Sequence, residues 1–235
     1  ENHFRGYGNA IKSFIETLSR EDGDCNHKLN IIPGIVNPGD IREIGHMLGL
    51  MDITPIILTD TSDPFDSPLR PSKTEQMPFY PPGGTAVPEI EDSSNSMGTL
   101  SLTMYGDEAL NTLEKRFRVP GEYSMPIGVR NTDDFVRRAA RISEKDVSDE
   151  LLDERGILID SMADLSSRYL FGRTAAVYGD PDMVAGISRF LCELGITPLH
   201  TCTGTDNELF IDRMKTVAAE ADERINVMVK SDLRA

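Results

Sequence analysis

Apolar positions recur along this chain in two ways, and each way marks a kind of element. In residues 9–18, NAIKSFIETL, the side chains Ile11, Phe14, Ile15 and Leu18 fall on one face of a helix. Residues 29–32 (LNII) and 54–58 (TPIIL) are apolar runs too short for helices, which predicts buried strands. A helical pattern from about Ile41 to Leu50 lies between them. Strand, helix and strand make a parallel βαβ unit, which crosses over right-handedly. Residues 60–97 then form a long irregular stretch holding half of the chain's fourteen prolines. Its PFYPPGGT segment fits neither a helix nor a central strand. So long a loop in a compact domain is expected to serve a function or an interface.

Pattern returns with TLSLTMY (99–105) as a strand or a strand–helix junction, a helix through about Phe117, and YSMPIGV as a short strand. NTDDFVRRAARIS opens a further helix, with Asn131 or Thr132 as its cap and Asp133 and Asp134 facing the positive end of the dipole. A long helix is predicted from about Ser148 to Tyr169, burying Leu151, Leu152, Leu158, Ile159, Met162 and Leu165. Gly156 inside it costs about 1 kcal/mol against Ala, so close packing is expected there. The clearest unit follows: strand 173–178, turn GDPD, helix 182–194, Gly195 as C-cap and strand 197–202. A helix at 206–221 and a strand at 225–230 extend it. The class is α/β, with Rossmann-like parallel sheets flanked by helices. Its two lobes, roughly 28–130 and 171–235, are joined by the long helix.

Composition adds limits. The net charge of −15 repels phosphate backbones and anionic membranes, so neither nucleic acid nor a membrane is an expected partner. No apolar run is long enough for a membrane span. Cys25, Cys192 and Cys202 lie far apart with no C-x-x-C pair, which fits a reducing cytoplasm and gives no metal knuckle. The chain opens at Glu1 without Met and stops just past INVMVKSD, so a piece of a longer chain is the expectation.

Candidate chemistry is thin. In NIIPGIVNPGD (30–40), Gly34 and Gly39 have neither the G-x-G-x-x-G spacing nor the Lys and hydroxyl of a P-loop; Asp40 and Ile41 stand there instead. In YGDPDMVAG, Asp180 and Asp182 sit at a strand's carboxyl end and offer two carboxylates to a cation. The simpler reading is that Asp180 caps the helix, Pro181 is its first residue and Asp182 meets the dipole. His3, His27, His46 and His200 lack metal-ligand spacing, and SSNS at 93–96 reads as turn chemistry. The residues supply Rossmann-like units without a cofactor fingerprint; no catalytic, cofactor-binding or metal residue is assigned.

Several segments taken together resemble one family, the β subunit of nitrogenase component 1 (dinitrogenase): GYGNAIKSFI, LNIIPGIVNPGDIREI, DTSDPFDSP, YPPGGT, MPIGVRNTDDF, ERGILIDSMAD and GRTAAVYGDPDMVAGISRFLCELGITPLH. They occur in family order over nearly all 235 residues. The resemblance implies a chain about twice as long with three Rossmann-like domains. Residues 1–27 would end the first; 28–170 would form a second lobe with the Pro-rich loop 60–97 and the connecting helix. Residues 171–235 would form a further lobe, truncated at its C-terminus. It implies a cytoplasmic heterotetramer with an α subunit and a second β subunit, served by an iron protein that carries ATP and Mg. Electrons would pass through a P-cluster, an iron–sulfur cluster, to an iron–molybdenum, iron–vanadium or iron-only cofactor in the α subunit, reducing dinitrogen to ammonia. The P-cluster cysteines would precede Glu1, and Cys25, Cys192 and Cys202 match none of them. VNPGD, FDSP and RNTDD lean toward the vanadium and iron-only types and YPPGGT and YGDPD toward the molybdenum type, with the balance on the vanadium and iron-only side. A cofactor-assembly scaffold of the same family is the alternative, and this piece alone is expected to be inactive.

Overall fold

The computed structural model describes residues 2–20, 23–68, 82–205, 207–221 and 224–229. The chain forms two compact units, residues 1–123 with 138–146, and residues 124–137 with 147–235.

The first unit opens with α1 (His3–Leu18), which begins several residues before the apolar stripe because the Asn2 side chain caps it, accepting from Arg5 N at 2.9 Å. After β1 (Leu29–Ile32) comes α2 (Pro38–Leu50), with Pro38 in its first turn, and then β2 (Pro55–Ile57). The 60–97 stretch is less irregular than its prolines imply. It holds α3 (Ser62–Asp66), α4 (Val87–Asp92) and a 3₁₀ turn at Ser93–Asn95. Pro88 does not interrupt α4, since it lies in the first turn, where its missing N–H is not needed. Residues 69–81, with the PFYP part of PFYPPGGT, lie outside the described residues.

Next are β3 (Gly98–Ser101), α5 (Asp107–Phe117) and β4 (Gly121–Tyr123). The short strand is therefore GEY; of YSMPIGV only Tyr123 belongs to it. The sheet is parallel throughout, in the order β2-β1-β3-β4. On one face Ile32, Ile56 and Leu58 pack with Ile11 and Ile15 of α1 and Ala109 and Leu113 of α5.

α6 (Val129–Ser143) is divided between the units at Arg137 and Arg138. It starts ahead of the expected caps Asn131 and Thr132. α7 (Asp149–Leu165) follows, capped by Ser148, and runs into a π turn at Ser166–Leu170. Its apolar residues do not form a buried stripe. Leu151 is buried, but Leu152, Leu158 and Leu165 are about half exposed and Ile157 is 68% exposed. Nothing lies within 4 Å of a side chain added at Gly156, so the expected close packing is absent among the described residues. The pattern predicted the helix correctly and its surroundings incorrectly, because periodicity reports a face and not what covers it.

The second unit continues with β5 (Thr174–Gly179), α8 (Pro181–Glu193), β6 (Thr197–Thr203), α9 (Glu208–Ala221) and β7 (Asn226–Val229). These follow the predicted elements closely. Its parallel sheet runs β5-β6-β7.

Candidate functional site

In a parallel sheet, ligands bind at the carboxyl ends of the strands where the winding reverses. In the first sheet that point lies between β1 and β3. Gly34, just after β1, holds φ +76°, and a side chain added there would stand 2.9 Å from Thr103 Cβ. Its backbone N–H is the donor that a phosphate would need, and it goes to the Tyr7 hydroxyl of α1 at 3.1 Å. Tyr7 in turn lies 2.9 Å from Thr59 Oγ1. The Thr59 hydroxyl donates to Leu58 O, so the phenol's own proton goes to Thr59. Burial raises the Tyr7 pKa above its ordinary value and keeps the phenol neutral. Thr59 sits at φ +71°, a left-handed backbone that β-branched residues avoid, and this bond holds it.

The rest of α1 closes the crevice. Phe4 stacks on Tyr105 with ring centroids 5.4 Å apart. Gly8 approaches so closely that a Cβ would stand 2.1 Å from Tyr105 O. At the start of α2 the Asp40 carboxylate accepts from Asn37 N at 3.2 Å, placing negative charge where an anion would enter. The 30–40 turn therefore turns the chain, and its Gly34 and Asn37 amides are engaged within the protein.

The GDPD turn also uses its own donors. Asp180 Oδ1 accepts from Met183 N at 3.0 Å, Pro181 occupies the first helical position, and Asp182 is buried in the first turn. Asp180 is thus a cap. Among the described residues no group of three or more His, Cys, Asp or Glu side chains is placed to hold a metal ion. The histidines are scattered: His3 lies on Phe4, His46 within α2, and His200 Nδ1 is 3.4 Å from Asn226 Nδ2.

The SSNS hydroxyls serve a buried polar network. Ser96 Oγ donates to Asn30 Oδ1 at 2.8 Å, and Asn30 Nδ2 donates to Ser93 O at 2.8 Å and Thr99 Oγ1 at 3.2 Å. Ser93 Oγ donates to Ile90 O, and Ser94 Oγ to Arg20 O. Each hydroxyl is engaged in fixing the turn before β3, and none is poised as a nucleophile.

In the second unit, charges tie helices together. Glu193, at the end of α8, accepts from Val129 N at 2.7 Å and Arg130 N at 3.0 Å, so a carboxylate from a distant residue caps α6. Asn131 instead accepts from Arg189, whose guanidinium grips Glu220 of α9 through two bonds of 2.7 and 2.9 Å. The pairing raises the Arg189 pKa and lowers that of Glu220. Arg155 of α7 forks onto Asp133 at 2.6 and 2.8 Å. Beside these pairs lies an open groove of about 680 Å³, with Ile159, Met162 and Phe171 along its walls. It offers apolar surface rimmed by paired charges and no activated base or nucleophile.

The thiols do not fit an iron–sulfur cluster. Cys25 is exposed in a loop, Cys192 belongs to α8 and Cys202 to β6. Burial, reinforced by Glu220, pushes the Cys192 thiol up, away from the thiolate a cluster needs.

Residues 1–235 match the family described as nitrogenase component 1 type oxidoreductase. A nitrogenase molybdenum-iron protein β chain of Methanothermobacter thermautotrophicus is 76% identical over all of this chain and 51% of its own length. A nitrogenase vanadium-iron protein β chain of Trichormus variabilis is 36% identical over 96% of this chain and 46% of its own. A solved structure described as nitrogenase Cp1 at pH 6.5 superposes with a TM-score of 0.92 at 38% identity, over 99% of this chain and 50% of that one. The chain thus spans about half the length of the curated relatives it matches.

Proposed function

Because the chain belongs to the nitrogenase component 1 type oxidoreductase family, we propose that it is a section of a β subunit of that enzyme, working in the cytoplasm. The supporting observation is 76% identity to a molybdenum-iron β chain across every residue. In this reading the intact subunit pairs with an α subunit and a second β subunit. It supports electron transfer from the iron protein through the P-cluster to the cofactor that reduces dinitrogen to ammonia. Residues 1–123 with 138–146, and residues 124–137 with 147–235, then belong to two of its Rossmann-like domains.

What these residues contribute is structural. Tyr7 and Gly8 close the first sheet's crevice, Glu193 and Arg189 tie α6, α8 and α9 together, and exposed α7 is surface for an assembly. Cys25, Cys192 and Cys202 are assigned no cluster ligation, and no electron-transfer step is derived through them. The margin between 76% and 36% identity favours the molybdenum type over the vanadium and iron-only types toward which VNPGD, FDSP and RNTDD lean.

Sequencing the coding DNA on both sides of this stretch tests the reading. Three well-spaced cysteines upstream and a further α/β domain downstream are expected. An upstream region lacking one of those cysteines would move the assignment to the cofactor-assembly scaffold. Stop codons close to both ends would remove the activity altogether.

A further inference from the structure

The chain leaves β2 through a residue that resists its own conformation. Thr59 holds φ +71°. Among the described residues four other non-glycine residues have positive φ, His27, Asp52, Arg118 and Glu144, and none of them is β-branched. A branched Cβ makes the left-handed region costly, and such a conformation persists only where its surroundings over-determine it.

What over-determines Thr59 comes from α1. Its Oγ1 donates to Leu58 O and lies 2.9 Å from the Tyr7 hydroxyl, 52 positions away. Tyr7 is fixed in turn, because its oxygen accepts from Gly34 N and its helix is seated on either side of it. Phe4 stacks on Tyr105, and Gly8 leaves no room for a side chain against Tyr105 O. The phenol reaches Thr59 only when α1 lies in this seat.

Beyond Thr59 the hold on the chain is light. Asp60 N donates to Thr85 Oγ1 at 2.8 Å, and Ser62 N donates to Asp60 Oδ1 at 2.8 Å. α3 has five residues, of which only Ser62 is buried, and Phe65 is 74% exposed. Arg42 reaches it from α2, bonding Asp66 at 2.7 Å and Ser62 O at 2.9 Å. A segment held by polar contacts at the surface opens at low free energy.

We propose that Tyr7 and Thr59 form a sprung latch that makes the placement of α3 depend on the seating of α1. With the phenol in place, Thr59 is held left-handed and α3 lies against Arg42. With the phenol withdrawn, Thr59 relaxes to an extended backbone and the chain leaves β2 in another direction. α3 then comes away, and Asp63, Phe65 and Asp66 move with it. Strain sets this apart from an ordinary tie. An unstrained residue keeps its turn when one hydrogen bond is lost, whereas a β-branched residue at positive φ has a lower-energy backbone waiting. The strained turn and its keeper are one two-state element, through which events at α1 are read at a surface tip.

Hydrogen exchange over residues 60–67, in the full-length chain, separates strain from simple bonding. Phe65 N and Ser67 N, bonded to Thr61 O and Asp63 O, carry the signal. Tyr7→Phe keeps the ring and loses the keeper, so these amides are expected to exchange about tenfold faster while those of α5 do not change. Thr59→Val keeps the branch and loses the hydroxyl, and is expected to match it. Thr59→Gly loses the same bond but also the strain, since glycine takes positive φ freely. It is expected to exchange no faster than wild type, alone or combined with Tyr7→Phe. Acceleration in Thr59→Gly equal to that in Tyr7→Phe would overturn the proposal, because the bond would then act without strain. An unchanged rate in Tyr7→Phe, or an equal rise in α5, would overturn it as well.

Discussion

Glu193→Ala removes a single side chain and orphans two donors on another helix. Val129 N and Arg130 N lie 2.7 and 3.0 Å from the Glu193 carboxylate, and they belong to the first turn of α6, whose N–H groups have no partner within the helix. Loss of a cap costs about 1 to 2 kcal/mol. Loss of the negative charge at the positive end of the dipole adds about 0.5 kcal/mol. The expected total of about 2 kcal/mol corresponds to a factor of about 30 in an opening equilibrium. Native-state hydrogen exchange reads this locally. The Thr132 amide, which bonds to Gly128 O, should exchange about 30-fold faster in the variant. Glu193→Gln keeps an acceptor and loses the charge, so it should fall between the two. If α6 amides exchange at the wild-type rate in Glu193→Ala, the carboxylate is not the cap and the reasoning fails.

Asn30→Leu should destabilise the protein by about 2 to 3 kcal/mol by urea unfolding, because Ser96 Oγ, Ser93 O and Thr99 Oγ1 lose a buried partner; an unchanged midpoint would count against the network. On α1, Gly6→Ala meets nothing within 4 Å and should raise stability by about 1 kcal/mol, whereas Gly8→Ala drives a Cβ into Tyr105 O and should lower it. Equal effects at the two positions would contradict the close approach. Arg189 depresses the Glu220 pKa in the folded state, so the pair stabilises above the ordinary glutamate pKa and loses that effect as pH falls through the folded value. Comparing urea midpoints of wild type and Glu220→Gln against pH should show a wild-type advantage at neutral pH that vanishes in acid; a constant difference would refute the linkage.

The periodic pattern exposed the βα units because a strand buried on both faces is written as an unbroken apolar run and a packed helix as a stripe. LNII and TPIIL gave their elements that way, RTAAVYGDPD gave its strand and turn through a short apolar run ending in turn and cap residues, and the solved relative has the same fold. The contacts that give the candidate sites their character were not legible. Tyr7 meets Gly34 across 27 positions and Glu193 meets Val129 across 64, and no local pattern records such distances. Asn30 did carry a signal, since an amide inside an apolar strand needs partners. Asn131 and Thr132 have the right chemistry for caps, but a carboxylate folded in from α8 took that role. The α7 stripe was read as core because amphipathicity alone does not say whether the covering layer belongs to these residues.

Tyr7 meets the Gly34 amide as a bound phosphate oxygen would, but it is tethered to the chain. A group held on a short tether acts at a local concentration in the millimolar range or above, and its occupancy does not depend on any solute. Where other proteins of this architecture read the level of a nucleotide, the first sheet of this chain carries a resident substitute. Its order at that point therefore does not depend on a dissolved ligand.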